Sequence, residues 1–457
     1  MADRILSGSA GLDLVLGGGL LRNATNLIIG RPGSGKTILA QQYLFRNTTV
    51  ERPGLYFSTV SEPLDRMLRF AEGLSFFDRR AIGRSVFFED LSPALHANGL
   101  TGAADHLGAQ LLERRPALVV IDSFKALRPY AATEEEYRRF LHTLAAQSLG
   151  SAMTSFWVGE YGEEDGAAAP EAAVADAILL LSSQTREGRE MRIMRVVKLR
   201  GSGFRSGQHV YRISPQGLEV YARFADPVDG DSYDLERGVT ASGVPGLDEI
   251  LGGFPVGCST LVLGPAGVGK TVLGLHFILG GAARGEPGVI ATLQENPSQL
   301  ERTARGFGMT LNVPGVTVLY ETPVDLYLDQ WVHELLDCVE RTGARRVVVD
   351  SMDGLIWSAS DAVTFREAIY SLAQRLSRAG VALLMTQETP DLFGAARTFG
   401  DGFIHVADNV LLMNFVNQGG LWTRAVTVLK SRGQSHSSAE APFRIIDRGM
   451  ELVPGGE

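Results

Sequence analysis

Two segments of this chain carry residue types that hold phosphate. Gly30–Thr37 reads GRPGSGKT and Gly264–Thr271 reads GPAGVGKT, and both fit G-x-x-x-x-G-K-T, the P-loop pattern. The glycines Gly30, Gly33 and Gly35, and Gly264, Gly267 and Gly269, let the backbone wrap an anion with its N–H groups turned inward. Ser34 and Val268 complete the two phosphate-binding sets. Lys36 and Lys270 are placed to reach the β- and γ-phosphates, and Thr37 and Thr271 to put a hydroxyl on Mg2+. The chemistry expected is ATP binding with Mg2+ as the metal.

Further residues fit the same chemistry. Asp122 ends PALVVID and Asp350 ends RVVVD, where an open α/β sheet presents a carboxylate to its ligand. They are the expected Walker B aspartates, which hold Mg2+ through its water shell. Hydrolysis also needs a group that orients the attacking water. Glu62 in YFSTVSEP and Glu295 in VIATLQENP, at the end of the strand after each P-loop helix, are the candidate bases.

These residues need elements to position them. NLIIG and TLVLG read as short strands leading into the loops, and TILAQQYLF and TVLGLHFILGG as the helices leaving them. The near-continuous apolar runs before Asp122 and Asp350 fit parallel strands covered on both faces. The pattern then repeats. Ser7 opens SGSAGLDLVLGGGL and Ser242 opens SGVPGLDEILGGF; KLRG starts at Lys198 and KSRG at Lys430. With the P-loops and the aspartates, four blocks recur in one order at separations of 228 to 235 residues. The chain is therefore expected to be two duplicated α/β domains, residues 1–223 and 239–457. The polar, Pro- and Gly-containing stretch 224–238 reads as their linker.

Composition narrows the class. A net charge of −9 argues against a dedicated nucleic-acid binder, whose footprint is basic. No apolar run spans a bilayer, and the N-terminus lacks a signal-peptide pattern. Two distant cysteines, Cys258 and Cys338, suit neither a disulfide framework nor a zinc site, so a cytoplasmic protein is expected. Only five of the 43 basic residues are lysines, and all but Lys125 sit in a P-loop or a K-x-R motif. A sequence that otherwise uses arginine keeps a compact point charge at these places.

SG-x-x-GLD-x-x-LGG, the P-loop, the Thr-x-x-Glu strand end, the apolar run ending in Asp-Ser and K-x-RG together resemble the KaiC family, circadian-clock ATPases and their non-clock relatives in the RecA/DnaB superfamily. The resemblance spans both halves. It implies an α/β fold of two tandem RecA-like P-loop NTPase domains, each a mostly parallel sheet covered by helices. It implies a homohexamer of double rings with ATP held between subunits. Lys198 with Arg200, and Lys430 with Arg432, match residues that such proteins supply to the neighbouring subunit's phosphates. An arginine given in trans stabilises charge that develops in phosphoryl transfer. A basic strand edge that blocks aggregation is the plainer reading of the same motif.

The sequence also departs from the family. Where two adjacent glutamates are usual, Ser61 precedes Glu62 and Gln294 precedes Glu295. At the clock proteins' paired phosphorylation site stand Ile404 and His405, neither with a hydroxyl, although Thr398 is near. Ser435 and His436 follow the second K-x-RG, whereas Phe204 replaces the histidine in the first, so the two sites are not expected to be equivalent. Segment 160–173 (EYGEEDGAAAPEAA) reads as flexible. The function expected is a KaiC-like ATPase acting as a nucleotide-driven regulatory module, with a signalling protein as candidate reader and little autophosphorylation at the usual positions. A RecA/DnaB-type DNA-directed ATPase and an ATP-gated scaffold with negligible hydrolysis are the alternatives.

Overall fold

The structure, a computed structural model, describes residues 3–59, 64–162, 169–186, 189–224, 238–324, 326–356, 358–359, 361–389, 403–433 and 435–453. It divides into two compact units, Met1–Arg223 and Phe224–Glu457. Of the stretch read as a linker, residues 225–237 lie outside the described residues. Phe224 is buried within the second unit, where its N–H donates to Asp329 Oδ1 at 2.9 Å.

In the first unit the sheet strands are β1 (Thr25–Gly30), β2 (Gly54–Ser58), β3 (Val86–Asp90), β4 (Leu118–Asp122), β5 (Thr154–Gly159), β6 (Ala177–Arg186), β7 (Arg189–Leu199), β8 (His209–Ser214) and β9 (Gly217–Tyr221). In the second they are β10 (Ser259–Gly264), β11 (Gly288–Thr292), β12 (Val316–Tyr320), β13 (Arg346–Asp350), β14 (Ala382–Glu388), β15 (Asn409–Gln418), β16 (Leu421–Ser431), β17 (Ala441–Ile446) and β18 (Gly449–Leu452). The orders are β3-β2-β4-β5-β1-β6-β7-β8-β9 and β12-β11-β13-β14-β10-β15-β16-β17-β18. They are the same topology twice. Six strands run parallel in each, and an antiparallel extension begins at β7 and at β16. The fold is that of two tandem RecA-like domains.

The helices that matter below are α1 (Lys36–Asn47), α2 (Glu134–Gly150), α3 (Pro170–Val174), α4 (Lys270–Ala282) and α5 (Pro297–Gly306). Each sheet separates two apolar clusters, because successive side chains of a strand point to opposite faces. Leu118 and Val120 of β4 belong to one cluster, Val119 and Ile121 to the other. Val348 of β13 faces one way, Val347 and Val349 the other. Burying one such side chain contributes about 1.5–3 kcal/mol, which is why these strands read as unbroken apolar runs.

One position breaks the match. Arg346 starts β13 opposite Gly288, where the first unit has Leu118 opposite Gly54. Its guanidinium is fully buried over the Phe277 ring. It donates to Phe277 O at 2.7 Å and Ala241 O at 2.9 Å, and pairs with Glu286.

A histidine closes each unit in a parallel way. His209 Nδ1 accepts the Arg223 N–H at 2.9 Å, while its Nε2 lies 3.0 Å from Arg205 O. His276 Nε2 accepts the Met450 N–H at 2.8 Å, while its Nδ1 lies 3.0 Å from Gly243 O. Each ring accepts at one nitrogen and donates at the other, which only neutral imidazole can do. Burial pushes both pKa values below the usual 6.5. A base with a depressed folded pKa contributes stability that is full above the unfolded value and is lost as pH falls toward the folded one. The urea midpoint is therefore expected to hold above about pH 6.5 and to fall below it. Denaturation curves at stepped pH, compared with those of a His276→Phe chain in which the fall is smaller, check this.

Candidate active site

Both P-loops sit at the carboxyl end of their strands, where glycine is required for two reasons. A Cβ on Gly30 would lie 2.2 Å from Leu181 O, and one on Gly264 2.4 Å from Met413 O. Gly35 and Gly269, at φ of 90° and 119°, are the N-caps of α1 and α4, a left-handed backbone that a side chain would strain. Neither helix start has a side-chain cap, so its N–H groups and positive dipole end face the loop. Ser34 Oγ is buried without a partner among the described residues, a donor waiting for an acceptor in the cradle. Val268 is its buried counterpart, so the second cradle lacks that hydroxyl.

The charged residues converge here. Lys36 Nζ donates to Arg31 O at 2.9 Å, and Lys270 Nζ to Gly264 O at 2.7 Å and Pro265 O at 2.9 Å. Desolvation holds both lysines below their usual pKa, against the carboxylates nearby. Thr37 Oγ1 donates to Asp122 Oδ2 at 2.6 Å, and Thr271 Oγ1 to Asp350 Oδ2 at 2.7 Å. The expected metal-binding pair is thus together in each unit. A second hydroxyl fixes each aspartate, and it differs: Tyr56 donates to Asp122 at 2.7 Å, and Thr386 to Asp350. Desolvation raises the Asp122 pKa, opposed by its two hydroxyl partners and by Lys36. In the first unit a cavity of about 530 Å3 opens over Lys36, Thr37, Asp122 and Glu160, with Met67, Phe70 and Ile213 on an apolar wall. A cavity of this size admits a nucleotide. The donor set, one hydroxyl and one carboxylate beside a phosphate cradle, suits Mg2+, which is commonly held by few protein ligands plus substrate phosphates.

The candidate bases are placed unevenly. Glu62, with Ser61, lies outside the described residues. Glu295 Oε1 accepts from Thr303 of α5 at 3.3 Å and its Oε2 is buried without a partner, so among the described residues its carboxylate meets no group of the cradle. Gln294 is the side chain that reaches the end of β13, donating to Ser351 Oγ at 3.1 Å. Sequence reasoning missed two other carboxylates. Gly264 is in register with Glu388, and Ile29 with Gly159, which puts Glu160 abreast of Gly30. Glu388 ends, and Glu160 directly follows, the strand that separates the P-loop strand from the aspartate strand, and both act electrostatically on the P-loop lysine. Their separation equals that of Asp122 and Asp350, a signal that the repeat alignment carried.

The K-x-R residues lie at the other end of the sheets. Lys198 pairs with Ile178, which pairs with Leu27, three residues short of Gly30; Lys430 pairs with Val410, which pairs with Leu261, three short of Gly264. That is roughly 10 Å back along the strands, and two strands to the side. A bulge just before each lysine leaves Val197 and Leu429 as extra, exposed residues and turns the strand there. Lys198 Nζ donates to Ala172 O at 2.9 Å; Lys430 Nζ donates to Ala407 O at 2.6 Å and Ile404 O at 2.8 Å. Arg200 and Arg432 face Asp176 and Asp408 at 3.5 Å. The structure does not bring these four residues to the cradle of their own unit.

The remaining departures have structural counterparts. Ile404 packs against the core and His405 is exposed, on a short turn that offers no hydroxyl at that pair; Thr398 lies outside the described residues. Phe204 and His436 are both exposed. Segment 160–173 is not loose throughout: among its described residues Tyr161, Ala169 and Glu171 are buried, and 163–168 lie outside the description. Among the described residues no helix is long and apolar enough to cross a membrane, and both cysteines are free thiols.

Comparison with known proteins agrees with this geometry. A model of the KaiC ATPase family matches residues 5–224 and 240–457. The circadian clock protein KaiC3 of a Synechocystis species is 27% identical over 468 aligned residues, covering 98% of this chain and 92% of the relative. The circadian clock oscillator protein KaiC of a Picosynechococcus species is 26% identical, covering 97% and 88%. That of Prochlorococcus marinus is 26% identical, covering 98% and 92%. With the family pattern present twice and nearly the whole chain aligned, the protein is a divergent member of the KaiC ATPase family.

Proposed function

We propose that the protein hydrolyses ATP in a ring of identical chains and works as a nucleotide-driven regulatory module. The carrying observation is the split of each site: a phosphate cradle with its Thr–Asp pair at one end of the sheet, and a Lys–Arg pair at the other. Such a unit is complete only when a second copy brings its cations to the first copy's cradle, as a head-to-tail interface does, and a ring is its closed form. Lys36 and Lys270 then trade loop carbonyls for phosphate oxygens. Thr37 with Asp122, and Thr271 with Asp350, would hold Mg2+, which when bound neutralises phosphate charge and polarises the transferred group. Arg200 and Arg432 stabilise the charge that develops in the neighbour. Ile404 and His405 leave no acceptor hydroxyl at the paired position, so autophosphorylation there is not part of the reading. A reader of the ring, and a cytoplasmic setting, complete it.

The water-orienting carboxylate comes from Glu62, Glu160, Glu295 or Glu388. In the second unit Glu388 lies in register with Gly264, the first P-loop residue, while Glu295 is turned to Thr303. In a Lys36→Ala chain, where only the second site turns over, phosphate release is expected to fall about a hundredfold on Glu388→Gln and less than about threefold on Glu295→Gln. The opposite ranking returns the base to Glu295. In the parent chain, phosphate release no greater than that of the Lys36→Ala, Lys270→Ala double variant, with ATP-dependent rings still forming, would leave an ATP-gated scaffold. Gln294 beside Ser351 in place of a carboxylate is the feature that favours that outcome for the second ring.

A further inference from the structure

The first unit contains a buried ionisable cluster that the phosphate site does not use. Glu171, on α3, is fully buried. Its Oε1 accepts hydrogen bonds from the hydroxyls of Tyr137, on α2, and Tyr161, just past β5, and its Oε2 has no partner among the described residues. A carboxylate taken out of water with half its acceptor capacity unused is costly, and such an arrangement is kept where it fixes something. Burial and the neighbouring Glu171 charge push both phenols well above their usual pKa, so both remain donors.

The cluster sits between two functional groups. On one side Tyr161 follows Glu160, which lines the phosphate cavity; Lys125 spans the two, donating to Glu160 O at 2.7 Å and lying 4.8 Å from the Tyr161 ring. On the other side, the residue after Glu171 is Ala172, whose carbonyl holds Lys198 Nζ at 2.9 Å. A five-residue helix has little stability of its own. What anchors α3 therefore sets the direction of Lys198. At the equivalent turn of the second unit, Lys430 is held by the Ile404 and Ala407 carbonyls, and no buried carboxylate appears there among the described residues.

We propose that Glu171, clamped by Tyr137 and Tyr161, is a positioning residue of the first ring. It fixes the carbonyls that aim Lys198 at the adjoining copy's nucleotide, and it ties that aim to the strand end that carries Glu160 at the chain's own nucleotide. The state of one site is thereby passed to the next around the first ring by a route that has no counterpart among the described residues of the second unit. This rests on the trans reading of Lys198 given above.

The test uses the full-length chain with Lys270→Ala, so that steady-state ATP turnover reports the first site. In that background Lys198→Ala lowers kcat. Glu171→Gln is expected to lower kcat about tenfold with KM changed less than about twofold, since misplacing a charge costs the transition state more than binding. Adding it to Lys198→Ala is expected to have no further effect, because both act through one group. Tyr161→Phe keeps the carboxylate, removes one donor, and gives a smaller loss of the same kind; it serves where Glu171→Gln does not assemble. If Glu171→Gln lowers the melting temperature but folded rings keep their kcat, or if its loss multiplies with that of Lys198→Ala, the cluster is only structural and the inference falls. If Lys198→Ala leaves kcat unchanged, the trans reading falls as well.

Discussion

A chain carrying Lys36→Ala and Lys270→Ala, and a chain carrying Arg200→Ala and Arg432→Ala, are each expected to be inactive alone and to regain ATP turnover when mixed. The first has cation pairs but no phosphate lysine, and the second has cradles but no arginine. If each site joins one copy's cradle to the next copy's K-x-R strand, a random equal mixture completes about a quarter of the sites, so turnover returns to about a quarter of the parent value. The starting losses should be large, since a trans arginine in phosphoryl transfer is worth about a thousandfold or more. Strand register is the reason to expect complementation. Lys198 and Lys430 stand roughly 10 Å back from the first P-loop glycine and two strands aside, further than a lysine side chain reaches. Phosphate release after dissociating and reassembling the mixed chains decides it. Restored activity in the arginine variant alone would mean that the pair serves only the strand edge.

The largest stability effect is expected at Arg346. Arg346→Leu installs the residue that the first unit has at the same place, yet the second unit is built around the cation. The change leaves Ala241 O and Phe277 O without their donor and Glu286 without its partner. The Glu286 side chain is 38% exposed and can turn to water, so most of the cost falls on the two carbonyls and the lost packing against Phe277. Together these come to about 3 kcal/mol. For a unit of this size that lowers the melting temperature by roughly 6–12 °C. Calorimetry on the full chain should show the second unit's transition moving and the first unit's not. A shift below about 2 °C would mean that neighbouring side chains or water replace the lost donors.

Much of this was legible in the sequence because the chain states it twice. Each P-loop fixed a strand, a turn and a helix together, and the apolar runs before Asp122 and Asp350 could only be strands covered on both sides. The site was less legible where spacing does not determine direction. Glu295 follows its strand at the expected distance, but the turn after Thr292 sends its carboxylate to α5 and leaves Gln294 at the end of β13. Glu160 and Glu388 have different neighbours in sequence, GEYG and QETP, so the spacing they share with the aspartates is easily passed over until the sheet register shows them at equivalent places. Glu171 sits in an alanine-rich segment that reads as loose. Two tyrosines far from it and near it in sequence make it a fixed point, which no periodicity announces.

The bulged strand has an evolutionary consequence. Both copies keep the same bulge, the same register and the same lysine and arginine at the end of the sheet away from the cradle, so the layout predates the doubling of the gene. If that pair serves a neighbouring copy, an ancestor with one such unit held a socket at one end and a plug at the other, unable to fill its own. On this reading it met copies of itself from the start, and the duplication joined two rings that already worked rather than inventing a partner for either.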